Sequence, residues 1–335
     1  MKLLRNIGLT ALSLLLMISC GKPTDPESLM PDNTGGYHIV KKYATTAFAQ
    51  DIVRKDKILY IAQGEGGLII IDIQDPKNPK TLSSITEGVR GHSKKIALKD
   101  SVVYLAAGNY GITAVNIANP NQPNVTVSNL NMKPAKNVFV LGDYLFASVS
   151  ERGVKIANIG YPTQPDIRGR IITYGYAHDV AISKDTLKLF AACGEVGLTV
   201  FDISDFQNGF GVYPPIISVN TPGYAESIVI SDEKSLAFMA CGTAGLQIID
   251  YSDMNQLHIV GSYNSSGYAK ELKYRNDKVY MTTEKSGLQV FDVKNASKPK
   301  LIAQIKTEYA LGIEIDDKYI FVADEQEGLI IISIP

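Results

Sequence analysis

The residues able to do chemistry are few in this chain, and their spacing excludes most reactions. The four histidines (His38, His92, His178, His258) show neither the pairing of a metal site nor the helical spacing of a zinc protease. There is no phosphate-cradling glycine loop, no strand–nucleophile–helix elbow and no cysteine-pair zinc set. The acidic turns Asp72–Asp75 and Asp202–Asp205 run into Pro and Phe and lack the alternating oxygen ligands of an EF-hand loop. No catalytic residue, metal ligand or cofactor is therefore assigned. Lys and Arg (33) nearly cancel Asp and Glu (34), for a formal net charge of −1, so no electrostatic footprint for nucleic acid is present.

What remains is a set of polar residues that share one place in a repeat. The chain writes glycine, an apolar run and Asp or Asn seven times, at Gly67–Asp72, Gly111–Asn116, Gly153–Asn158, Gly197–Asp202, Gly245–Asp250, Gly287–Asp292 and Gly328–Ser333, where Ser replaces the acid. Successive glycines are separated by 44, 42, 44, 48, 42 and 41 residues, the period of four-stranded, blade-like units. The glycine ends a tight turn, the β-branched run suits a strand buried on both faces, and the Asp caps the next turn through its own backbone.

The sixth unit displays the pattern in full. Its strands are expected at Ala269–Tyr274, Lys278–Thr282, the Gly287 run and Lys300–Ile305. The seventh unit lacks a fourth strand, whereas His38–Tyr43, which matches His258–Tyr263, precedes the first unit. An N-terminal strand that completes the last blade closes a ring and hides its open edge. The expected fold is all-β, a seven-bladed β-propeller of 28 strands in four-stranded antiparallel blades. The fourth unit is irregular, with a long aromatic connection at Asp205–Pro215. Cys193 and Cys241 occupy equivalent places in adjacent units. That is too far apart for a disulfide, which needs a Cα separation of about 4.4–6.8 Å, so they read as small buried thiols.

In that register, Phe48, His92, Pro134, Tyr176, Tyr224, Tyr268 and Tyr309 precede the first strands, and the aromatic ones are expected to wedge between blades. Two residues later stand Gln50, Lys94, Lys136, His178, Glu226, Lys270 and Leu311. If the first strand is innermost, these ring one mouth of a central channel. Lys94, Lys136, His178, Glu226 and Lys270 are the candidate binding residues for a ligand or partner. Loop residues Glu65, Asn109, Glu151, Glu195, Lys285 and Gln326 are expected on the same face.

The N-terminus carries a different message. Lys2 and Arg5 followed by the apolar Ile7–Ile18 core read as an export signal over residues 1–19. Met17-Ile18-Ser19-Cys20-Gly21 resembles a bacterial lipoprotein cleavage box, with Met17 where Leu is usual. This makes Cys20 the lipidation site and anchors the chain to a membrane. Residues 20–36, rich in Pro, Asp and Gly, read as a tether to a propeller spanning 37–335.

The runs Gly67–Asp72, Gly197–Asp202, Gly245–Asp250 and Gly287–Asp292 resemble the LVIVD repeat of bacterial and archaeal surface proteins; Ala157-Asn158 and Ser333 depart from it. The resemblance implies a β-propeller on an exported or surface-attached protein and transfers no catalytic residue. The expected protein is thus a lipoprotein of the outer membrane or cell surface that binds an envelope protein or a glycan. A lactonase-like propeller hydrolase, with a divalent metal among Asp51, Asn137, Asp179, Glu226 and Glu271, is the alternative, as is a purely structural envelope component. The lysines among those carboxylates count against a metal.

Overall fold

The repeat run is apolar except at its second residue in blades 2 to 6 (Thr113, Lys155, Thr199, Gln247, Gln289) because each third strand feeds two interfaces at once. In blade 1, Leu68 and Ile70 join the cluster shared with blade 2, while Ile69 and Ile71 join the cluster shared with blade 7. Among the described residues there are seven such clusters, one at every junction between neighbouring blades. A computed structural model describes residues 34–335 apart from 152, 163 and 207–210. The signal segment, Cys20 and the tether as far as residue 33 lie outside the described residues. The folded unit runs from Thr34 to Pro335, and the Tyr37 N–H closes a turn onto the Thr34 carbonyl at 2.9 Å.

The fold is a seven-bladed β-propeller of antiparallel, four-stranded sheets whose strands follow one another in order. The first strands are Asp51–Lys55, Lys95–Lys99, Asn137–Leu141, Asp179–Ile182, Ser227–Ser231, Glu271–Arg275 and Ala310–Ile315. Each touches the next, and the seventh touches the first, so they line a central channel. The closing strand sits where the repeat count requires it. His38–Tyr43 pairs antiparallel with Gly328–Ser333, Tyr43 opposite Leu329 and His38 opposite Ser333.

The turn chemistry is equally regular. All seven repeat glycines have φ between 70° and 86°. A Cβ on Gly245 would stand 2.4 Å from the Tyr263 carbonyl oxygen, and one on Gly328 would stand 2.6 Å from that of Tyr43. Gly328 therefore meets the N-terminal strand just as Gly245 meets the fourth strand of its own blade. In the first six units the Asp or Asn side chain accepts the N–H two residues on, at 2.7–2.9 Å.

Among the described residues a twenty-ninth strand departs from the repeat. Gly211–Tyr213, in the long fourth-unit connection, pairs parallel with Asp166–Ile171 as a fifth strand of blade 3. Phe206 from the same connection is buried, with its ring 4.8 Å from Tyr144 and 5.7 Å from Phe146. The described part of this insertion covers the junction of blades 3 and 4.

Candidate functional site

The mouth is built from the first-strand register. Between each early aromatic and the polar residue lies one small, buried residue: Ala49, Ser93, Ala135, Ala177, Ala225, Ala269 or Ala310. Six of these bridge the preceding blade, pairing in order with Gly64, Gly108, Ser150, Gly194, Gly242 and Glu284; Ala49 is the one without such a bridge. The bridged partners are all left-handed, with φ of 48–57°. The next residue then returns to its own sheet: the N–H groups of Lys94, Lys136, His178, Glu226 and Lys270 donate to second-strand carbonyls at 2.8–2.9 Å. Every candidate is thus held by backbone on both sides.

The five candidates converge. Lys94, Lys136, His178, Glu226 and Lys270 line one opening of about 330 Å³, with Gln50 and Leu311 in the same register. Glu226 is saturated there. It accepts the Tyr268 hydroxyl at 2.8 Å and lies 3.2 Å from the Lys270 ammonium and 3.5 Å from His178 Nδ1. The other ring nitrogen of His178 lies 3.0 Å from the Tyr224 hydroxyl. Burial lowers the His178 pKa, with Lys270 and Lys136 adding to the effect against Glu226. The lowered pKa favours the neutral imidazole, whose Nε2 shares a hydrogen bond with the Tyr224 hydroxyl. Lys94 and Lys136 are exposed, and among the described residues neither ammonium has an acid within 4.0 Å.

Two expectations are corrected. Phe48 and Tyr176 do not wedge the blades, being 59% and 51% exposed, whereas the half-buried Tyr224 and Tyr268 lie over Gly194 and Gly242 of the preceding blade with their hydroxyls in the mouth. The fully buried position at each junction belongs instead to the small residue that follows, which in six blades forms the bridge to the preceding blade. The loop residues that reach the opening are Glu284 and Glu325, not their neighbours Lys285 and Gln326. Glu284 takes the left-handed bridge position, which turns the chain so that Glu284 faces the mouth.

Below the mouth the channel encloses about 530 Å³ and is lined by all seven first strands. Asp51, Asn137, Asp179 and Glu271 come together here, but their oxygens are already engaged. Asp51 accepts the N–H groups of Ile52 at 2.9 Å and of Ile96, on the next blade, at 3.0 Å. Asp179 accepts from Asn137 at 2.6 Å, Val180 at 2.8 Å, Ser227 at 2.8 Å and Ile228, on the next blade, at 3.0 Å. The Lys95 ammonium bonds Glu271 and stands 3.8 Å from Asp51. Burial pushes Asp51 up to about 7, and Glu271 adds to the rise against Lys95. Burial also raises Asp179. For Lys95, burial opposes the charged form, but Asp51 and Glu271 outweigh it and hold the ammonium charged. The carboxylates thus clasp neighbouring blades, and a lysine sits where the metal of a lactonase-like site would. Among the described residues no three His, Cys, Asp or Glu side chains are grouped to hold a metal ion.

The family profile of the LVIVD repeat matches residues 48–86, 90–130, 222–265 and 309–334. The chain carries LVIVD repeats. The matched segments cover blades 1, 2, 5 and 7, and the remaining blades of the propeller have the same strand order and glycine turn. Among solved structures, the WD40 β-propeller domain of Doa1 is 10% identical over 90% of this chain and 97% of that one, with a TM-score of 0.72. A chain of the mitotic checkpoint complex is 11% identical, covering 94% and 95%, at 0.69. The computationally designed Ika8 protein is 10% identical, covering 89% and 100%, at 0.64. At such identities these likenesses are of fold alone. No curated protein matches the chain.

Cys193 and Cys241 are free and buried, their thiols pushed up to about 12 by burial. The functional signal the sequence held but did not yield is the column of small residues from Ala49 to Ala310. It is visible in all seven repeats, hidden only by the larger aromatics beside it.

Proposed function

We propose that this LVIVD propeller is the binding module of a lipid-anchored envelope protein, and that its channel mouth holds the partner, an envelope protein or glycan. The observation that carries the reading is the convergence of five polar side chains from five blades on one opening, the arrangement in which propellers gather ligand contacts. The same face carries exposed aromatic rings at Phe48, Tyr110, Tyr174 and Tyr176, of the residue types enriched in interfaces. Anchorage is supported by Lys2, Arg5, the Ile7–Ile18 core and Cys20. Acyl chains on Cys20 would hold the protein at the membrane, each buried CH₂ contributing about 0.8 kcal/mol.

One experiment addresses both halves. Wild type, Cys20→Ser and a Lys94→Ala/Lys136→Ala double variant are expressed in the native envelope, fractionated and used to recover partners. Cys20→Ser should leave the membrane fraction and lose acyl incorporation. The double variant should stay in the membrane, unfold within about 0.5 kcal/mol of wild type as exposed substitutions do, and recover less partner. A double variant that keeps every partner of the wild type removes the mouth from the function.

A further inference from the structure

The mouth carries a charge separation that its own contacts leave uncompensated. Two of its charged side chains, Glu226 and Lys270, close on each other and, with the neutral His178, on Tyr224 and Tyr268, while Lys95 is bonded to Glu271. Four do not. Lys94 and Lys136, on blades 2 and 3, have no acid within 4.0 Å among the described residues, and Glu284 and Glu325, on blades 6 and 7, have no base within that distance. The two glutamates are held by neutral donors alone. Glu325 accepts the Gln50 amide at 3.2 Å, and Glu284 holds the Tyr309 hydroxyl, which burial and that bond push up to about 12, so it remains a donor. In a ring of seven, blades 2 and 3 face blades 6 and 7. One wall of the opening therefore presents two free ammonium groups, and the opposite wall presents two carboxylates.

We infer that the mouth binds a small zwitterion, its carboxylate or phosphate on Lys94 and Lys136 and its ammonium toward Glu284 and Glu325. This rests on the mouth being the binding site and names the ligand class it takes. A simple anion that settles on the lysines faces the carboxylates across the opening, and a simple cation on the glutamates faces the lysines. A molecule with both charges meets an opposite charge at each end, so the two walls complement it where they repel a singly charged ion. The opening of about 330 Å³ has room for a short chain and not for a folded domain.

The test is calorimetry on the full chain with glycine, 4-aminobutyrate, 6-aminohexanoate and phosphoethanolamine, against butyrate, hexanoate, hexylamine and inorganic phosphate. At least one zwitterion should bind about tenfold or more tightly than each singly charged probe. Phosphoethanolamine set against the amino acids tells a phosphate head from a carboxylate head. Lys94→Gln/Lys136→Gln should bring the preferred zwitterion down to the level of hexylamine, and Glu325→Gln should weaken it while leaving hexanoate binding unchanged or stronger. Thermal melts of the same variants establish that they are folded. Equal binding of phosphate or hexanoate and the zwitterions would overturn the inference, as would zwitterion binding that survives both variants or no binding at all. If none of these probes binds while partner recovery still depends on Lys94 and Lys136, the ligand class is wrong and the binding site stands.

Discussion

At the residue scale, the channel carboxylates show how one side chain serves both fold and charge balance. Asp51 has both oxygens on backbone N–H groups, one of them on the next blade. Its pKa, raised to about 7 from the ordinary 3.8 of an aspartate, means that the folded state binds the proton more tightly than the unfolded chain does. The stability from this group is fully present below about pH 4 and lost as the pH rises through about 7. Because Glu271 and Lys95 titrate with it, the pH dependence belongs to the cluster. Asp51→Asn keeps the shape and removes the charge. The melting temperature of wild type minus that of Asp51→Asn should fall between pH 5 and pH 8. A difference that is flat or rises over that range would mean Asp51 is ionised in the folded protein at every pH tested. None of this was legible in the sequence. The positions of Asp51, Asp179 and Glu271 at one level follow from the repeat register, but which donor meets which oxygen depends on how blades abut. Gly312 is an instance: a Cβ there would stand 2.5 Å from the Asp51 Cα, so blade 7 packs on blade 1 only because that residue is glycine.

At the scale of elements, the strands were legible because two independent signals agree. The glycine recurs with the blade period, and the run after it is apolar on both faces but for one polar residue in five of the copies, as a strand pressed between two sheets requires. The closing strand was legible through a likeness between His38–Tyr43 and His258–Tyr263 and a missing fourth strand in the last unit. Gly211–Tyr213 was not, because an insertion has no counterpart in the other repeats and three residues give no period to read. The closure has a direct consequence. Deleting Tyr37–Tyr43 removes Tyr37, 1% exposed and packed edge-on to Tyr280 at 6.4 Å, and bares the strand carrying Leu329–Ile332. Loss of a buried aromatic alone costs about 3–5 kcal/mol, and an uncovered apolar edge pairs with other chains. The truncated protein should aggregate or melt far below wild type, while deletion of Pro23–Pro31 should leave the melting temperature unchanged. Equal melting of the two truncations would show that the ring does not depend on its N-terminal strand.

At the scale of the whole molecule, seven copies of one unit put equivalent residues at equivalent heights, and function enters where the copies differ. The small residue beside the blade bridge is kept in all seven, whereas the residue after it varies through Gln, Lys, Lys, His, Glu, Lys and Leu. A position under the same backbone constraint in every blade yet free in chemistry is where a ring of distinct contacts can be composed. The mouth was therefore legible as a place, and its five candidate residues lie together. The charges facing one another across it were not, because the glutamates that complete them come from loops whose left-handed turns decide which residue points inward. The central claim, that this face meets the partner, is tested most directly by photo-cross-linking in intact cells. A photoreactive residue is placed at Tyr176, on the mouth face, or at Lys57, in the exposed turn between the first two strands of blade 1 at the opposite end of the channel. Cross-linked adducts should form from Tyr176 and not from Lys57, and should diminish when Lys94→Ala and Lys136→Ala are added; equal adducts from both positions, or adducts from Lys57 alone, would contradict it.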